Sequence, residues 1–226
     1  NGQVDYKDEK AGIKLQIKGF NNSLSGDFSD EQTSLRNKAD IRSITFNYGA
    51  IDYLSNATVS YDAVIDADLK NGIYTLGRNE LKLNALSLAF SGSVSTVQEG
   101  LNLVLAFDAG NNRFKNILSM VPAVYARNFE NIEADGMFSL DGNIKGIYAE
   151  AMMPSFNVNI DVRNGKFSYP ELPGEVTDIT LDANIGNPGG DADNTIISIS
   201  QFGVKLGPNP FVATLLIKTP VSDPYV

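Results

Sequence analysis

The sequence predicts an all-β protein: a mainly antiparallel, long twisted or curved sheet or groove, with one short helical insert near residues 113–131. Three observations carry this reading. Apolar and polar residues alternate with a period of two over most of the chain, the pattern of strands with one apolar face. Asn-Gly and Asp-Gly pairs stand between the alternating runs, and these populate the positive-φ states that tight hairpins need. One stretch alone changes period, from that of a strand to that of a helix.

Along the chain, the opening run NGQVDY is echoed by NGKFSY at 164–169, and a polar turn, an alternating run and a loop follow each copy. Both copies are expected to be hairpin entries. If the echo is a true repeat, Val4 and Tyr6 occupy places in the sheet equivalent to those of Phe167 and Tyr169. Alternation continues over 13–20 and 41–48 and is clearest at 57–69. There Ala57, Val59, Tyr61, Ala63, Ile65, Ala67 and Leu69 share one face, and the other face is polar apart from Val64. At roughly 3.3 Å per residue this is a strand of about 40 Å, well beyond the usual five to six residues. In 81–90 the parity flips, from Leu81 and Leu83 to Leu86, Leu88 and Phe90, which predicts a β-bulge near Asn84-Ala85.

The run 101–109 precedes the insert, where Phe114, Ile117, Leu118 and Val121 fall at helical spacing. Pro122 predicts a kink or a second short helix starting there. The chain thus divides into a strand-rich first half (1–112), the helical insert (113–131) and a strand-rich second half (132–226), expected to form one continuous piece of a larger protein. In the second half, runs at 138–148, 155–163, 179–185 and 211–217 alternate, with a slip between Ile199 and Phe202. In 155–163, Phe156, Val158, Ile160 and Val162 point one way and Ser155, Asn157, Asn159, Asp161 and Arg163 the other. Turns are expected at Asn71-Gly72, Asp135-Gly136, Asp141-Gly142 and Asn164-Gly165, giving an antiparallel meander.

Composition narrows the function. With 18 basic and 27 acidic residues the net charge is −9, which argues against nucleic acid and against docking on anionic headgroups by bulk charge. Neither argument touches burial of uncharged acyl chains. Without cysteine there is no disulfide or thiolate metal site, and without histidine the commonest general base and metal ligand are missing. No catalytic residues, metal or cofactor are therefore expected. The pair Asp66 and Asp68 shares a strand face that is otherwise Thr, Ser and Asp, a solvated surface rather than a glycosidase site. GGDADN at 189–194 lacks the sixth-position glycine and distal glutamate of an EF-hand loop, and is expected to be an acidic turn.

The segment FKNILSMVPAVYARNFENIEADGMFSLDGNIKG resembles the one by which AsmA-like proteins of Gram-negative envelopes are recognised. There a short helix with a Leu-x-Val-Pro-Ala-Val-Tyr type core, here Leu118 to Tyr125, precedes glycine-punctuated strands, here with Gly136, Gly142 and Gly146. PSFNVNIDVRNGKFSYPELP is similar to the family's next element, LLIKTPVSDPYV to its following strand and turn, and LKLNALSLAFSGSV to its Leu-Asn-x-Leu strands. The resemblance covers nearly the whole chain, and its motifs are compositional rather than catalytic. It implies a non-enzymatic periplasmic region attached to the inner membrane by an N-terminal segment outside this sequence. It also implies likeness to bridge-like lipid transfer proteins, whose apolar sheet face carries lipid tails.

On that implication, Val59, Tyr61, Ala63, Ile65, Phe156, Val158, Ile160 and Val162 are the candidate acyl-chain contacts, and Phe114, Ile117, Leu118 and Val121 form a helix that plugs the end of the sheet. The expected role is to shield or conduct phospholipid acyl chains between inner and outer membranes, in support of outer-membrane biogenesis and lipid homeostasis. The alternative is a scaffold or assembly factor for outer-membrane proteins that carries no lipid, with envelope assembly proteins as partners. A sheet whose inner face holds another sheet shows the same alternation as one whose inner face holds lipid, so the pattern leaves both open.

Overall fold

The alternating runs become strands that pair with their sequence neighbours. The computed structural model describes residues 1–9, 12–27, 31–48, 51–110, 112–118, 133–150, 152–168 and 174–222. In order these form β1 (Gly2–Asp8), β2 (Ile13–Ser25), β3 (Gln32–Tyr48), β4 (Ile51–Asp68), β5 (Ile73–Leu83), β6 (Leu86–Val97), β7 (Gly100–Asp108) and β8 (Asn112–Arg113). The five-residue helix α1 (Phe114–Leu118) follows, then β9 (Glu133–Tyr148), β10 (Ser155–Ser168), β11 (Val176–Asn187), β12 (Ile196–Leu206) and β13 (Asn209–Lys218). All thirteen strands lie in one antiparallel sheet, in chain order except that β7 and the short β8 both pair with β9. The insert thus leaves and returns between two strands that are hydrogen-bonded to each other, and 1–112 and 132–226 share one sheet. Strands β3, β4 and β9 are 17, 18 and 16 residues long, about three times the usual length.

Four local expectations are corrected. Asn84-Ala85 is not a bulge inside one strand but the two-residue turn between β5 and β6, with Leu83 opposite Leu86 and Leu81 opposite Leu88. Asn84 takes the left-handed φ of 52° that such a turn requires. Conversely, Asp135-Gly136, Asp141-Gly142 and Asn164-Gly165 lie inside β9 and β10 rather than between strands. Asn164 has φ 51° and sits where the β9–β10 register shifts between Arg163 and Lys166, so the pair makes a bulge and the strand runs on. Asn71-Gly72 does close a hairpin, between β4 and β5, and the slip after Ile199 is a register shift between β12 and β13.

The NGQVDY/NGKFSY echo does not mark equivalent places. Val4 is on the edge strand β1, paired to Ile17 of β2 alone, whereas Phe167 lies on β10 with β9 on one side and β11 on the other. Tyr169, Val121 and the Pro122 kink lie outside the described residues.

The core is thin. Among the described residues one cluster joins Ala109, Phe114 of α1, Phe138, Val162, Val176 and Ile179. Elsewhere the buried apolar residues described are alanines (Ala39, Ala57, Ala63, Ala67, Ala183), small enough to be covered by their own neighbours on the sheet. The accessible surface is 13998 Å², whereas a compact monomer of 24.4 kDa exposes about 10,000 Å². An excess of this size is what a single layer produces. Among the described residues no second sheet packs on the first, β1 and β13 do not meet to close a barrel, and no helix is long and apolar enough to cross a membrane.

Candidate functional site

Residues directly opposite each other in antiparallel strands lie on the same face of the sheet, so the registers show what each face carries. One row runs Leu35–Ile65–Leu76–Gly92–Leu105–Ile144–Phe156, from β3 to β10. A second runs Phe90–Phe107–Gly142–Val158–Ile185–Ile197–Ile217, from β6 to the edge strand β13. At about 4.8 Å per strand each row extends for roughly 30 Å. The large side chains of both rows are half-buried, none fully. Each is left partly exposed to solvent.

The two stripes singled out from the sequence are therefore parts of one surface. Ile65 on β4 and Phe156 on β10 share the Leu105 row, although five strand-to-strand steps separate them and their sequence parities are opposite. Val59 and Tyr61 continue the same face toward the β5–β6 turn, opposite Leu83 and Leu81. Ala63 is buried. On β10 the stripe divides. Phe156 and Val158 stand clear of α1, Ile160 packs against the α1 cluster, and Val162 belongs to it, at 4 % exposure. Of the helix residues, Phe114 and Ile117 join that cluster, Leu118 ends α1, and Val121 lies outside the described residues.

Toward β2 the apolar face acquires polar groups. The Tyr61 hydroxyl donates to Asn37 Oδ1, which also accepts from Asn22 Nδ2 at 3.2 Å. At the opposite end of the strands from α1, Leu101, Tyr148, Met152 and Met153 line an open recess of about 770 Å³.

The other face is polar and hydrogen-bonded to itself. On β10 and its neighbours, Asn184 Nδ2 donates to Asn157 and Asn159 Oδ1, both at 2.8 Å, and Asn159 Nδ2 donates to Asp141 at 2.9 Å. On β3 and β4, Asp62 accepts two bonds from Arg36, at 3.0 and 2.7 Å, and lies 2.8 Å from Lys38 Nζ. Hydrogen bonds from Arg36, then from Lys38, lower the Asp62 pKa to about 2. Its contribution to stability is therefore complete above the ordinary carboxylate range and lost as pH falls from about 4 through about 2. Asp62→Asn is expected to lower the melting temperature slightly at pH 6, the gap closing by pH 2. An equal gap at both pH values would show that the ion pair contributes nothing.

The remaining carboxylates flagged in the sequence tie neighbouring strands or hold turns. Asp66 accepts from the Ser34 hydroxyl, and Asp68 accepts from the backbone and side chain of Asn71 at 2.9 and 2.8 Å. In the GGDADN loop Asp191 caps a single 3-10 turn by accepting from the Asp193 N–H at 2.8 Å. Asp193 accepts from the N–H groups of Val221 and Ser222, both at 3.0 Å.

Sequence reasoning missed three buried asparagines. Asn79 replaces a missing ladder partner at the β4–β5 register shift, accepting from the Val64 N–H at 2.9 Å and donating to its carbonyl at 3.4 Å. Asn112 does the same where β7 has ended, bonding the backbone of Ser87 and Ala109 and so joining β8 to β6. Asn187 ties the loop after β11 through Gly189, Asp191 and Thr195. Asn79 and Asn187 had a visible signal: each is the polar residue at a parity otherwise occupied by Leu81 and Leu83, or by Ala183 and Ile185.

Among the described residues, fold and site together define a single-layer antiparallel sheet with one mainly apolar face and one mainly polar face. No family model, curated protein or solved structure matches the chain.

Proposed function

We propose that this chain is a non-enzymatic, AsmA-like segment of a Gram-negative envelope protein that shields or conducts phospholipid acyl chains on its apolar face. It works in the periplasm, attached to the inner membrane through a segment outside this sequence, and supports outer-membrane biogenesis. The observation that carries the reading is the pair of uncovered apolar rows. Each is longer than the roughly 15 Å that an acyl chain spans in half of a 30 Å hydrocarbon core. Every methylene laid against such a surface recovers about 0.8 kcal/mol of the cost of leaving a bilayer. The polar face holds ion pairs and amide ladders, which suits contact with water on that side. The residue resemblance to AsmA-like proteins supports the same assignment.

The test is native mass spectrometry and lipid extraction of protein purified without detergent, together with photo-crosslinking from Ile65 and Val158. Co-purifying phospholipid crosslinked at both positions supports the reading; its absence from both sinks it.

One observation favours the alternative, a scaffold for outer-membrane protein assembly. The edge strand β13 carries no charge before Lys218 and exposes Phe211 and Val212, the latter by 74 %. Bare edges of this kind recruit other strands. Capture of a β-barrel assembly partner, lost on placing lysine at Val212, would support that reading.

A further inference from the structure

The apolar face is not uniform, and α1 is what divides it. Above α1 lie the Leu105 and Phe107 rows, whose large side chains are half-buried. Below them the next two rows, Leu140–Ile160–Ala183 and Phe138–Val162–Leu181, run under or beside the helix. Phe138 and Val162 are 3 % and 4 % exposed and share one buried cluster with Phe114 of the helix. The helix is held down by its own anchor. β8 pairs with β9 at Phe138 and Met137, and the side-chain amide of Asn112, two residues before Phe114, is hydrogen-bonded to the backbone of Ser87 and Ala109. A five-residue helix held this way is part of the sheet's covering, seated where an acyl chain would otherwise lie.

Building on the lipid reading above, we infer that α1 is a barrier that confines acyl chains to the Leu105 and Phe107 rows, with Phe114 occupying the apolar surface of Phe138 and Val162 in place of lipid. Chains then cross the sheet along a lane running from β3 toward β13, parallel to the rows, and do not spread down the strands. Three features agree with a lane. The Phe107 row continues unbroken to Ile217 on β13, so the path stays apolar to that edge. The Asn22–Asn37–Tyr61 polar group bounds the face at the β2–β3 side. Among the described side chains of α1, Phe114 and Ile117 reach the cluster, so the barrier rests on these two.

The experiment uses the whole chain as it stands and puts the probe on the lipid. The protein is incubated with phosphatidylcholine vesicles whose acyl chains carry a diazirine, irradiated, and the labelled residues are mapped by peptide mass spectrometry. The expected footprint covers Ile65, Leu105, Phe156 and Val158 and leaves Phe138 and Val162 unlabelled. In Phe114→Ala, label at Val162 is expected to rise about tenfold, the gain expected when a buried phenyl ring no longer competes for the surface. Phe114→Leu, which still fills the site, keeps the wild-type footprint. Circular dichroism checks that both variants fold, and the wild-type footprint stands as a test should Phe114→Ala not fold. Label on Val162 equal to that on Val158 in the wild type overturns the barrier and leaves the lipid reading standing, as does an unchanged footprint in a folded Phe114→Ala. An absence of label along both rows overturns both.

Discussion

Aspartate at position 105 is expected to strip the protein of bound phospholipid, while aspartate at the adjacent position 104 leaves it loaded. The two residues are neighbours on β7 and face opposite sides. Leu105 lies mid-row between Gly92 and Ile144, and Val104 stands between Ser93 and Lys145 on the polar face, where it is exposed. A carboxylate pressed against hydrocarbon costs about 3 kcal/mol, roughly a hundredfold in occupancy. In the lipid-free protein the same carboxylate points into water from a half-buried position, so Leu105→Asp is expected to fold. Val104→Asp gains a lysine partner and no hydrocarbon contact. Lipid per protein, measured by extraction, is expected to fall to near zero for Leu105→Asp and to match wild type for Val104→Asp. Equal loading of the two variants would place the lipid off this face and end the conduit reading.

The contrast between positions 104 and 105 was legible in the sequence, because period-two alternation assigns faces without reference to anything distant. The antiparallel meander was legible in the short connections between the runs. What the alternation does not encode is whether a parity flip is a bulge or a chain reversal. Both shift the phase by one residue, and at Asn84-Ala85 the flip came from reflection across a hairpin, Leu83 facing Leu86. Asn-Gly has the same ambiguity. It signals a residue able to reach positive φ, which serves a hairpin at Asn71-Gly72 and a mid-strand bulge at Asn164-Gly165.

The site was legible only in part for a related reason. Phe156 and Val162 belong to one stripe of identical chemistry, yet one is half-buried and the other is buried in the cluster that holds Phe114. That difference depends on where a helix distant in sequence comes to rest, and a helical period reveals the helix's own apolar side without the row that receives it. Whether the face is covered at all is a property of layers, and it became visible only in the 13998 Å² of exposed surface.

The larger effect on folding is expected from Gly92→Ala, a change of one methyl group in the middle of the Leu105 row. Gly92 has φ 136°, outside the range that side-chain-bearing residues adopt readily. A Cβ there would stand 2.0 Å from the Val104 carbonyl oxygen and 2.9 Å from Leu105 Cα, both backbone atoms of the paired strand. No rotamer change relieves a clash with backbone, so β6 and β7 must separate at the centre of the sheet. Strain in φ costs of order 1–3 kcal/mol and forced overpacking a similar amount. Together these reach about 4 kcal/mol, a large share of the roughly 5–15 kcal/mol that holds a domain folded. For a chain of this size the melting temperature should drop by about 10 °C or more. Gly77→Ala is the matched control. It too lies within a strand, β5, but φ there is unremarkable and nothing lies within 4 Å of the added Cβ. Its expected effect is nil or a slight stabilisation through the unfolded chain. Thermal melts of the two variants decide the point: comparable midpoints would mean that β6 and β7 do not approach as closely at Gly92 as the register requires, and the Leu105 row would lose its central link.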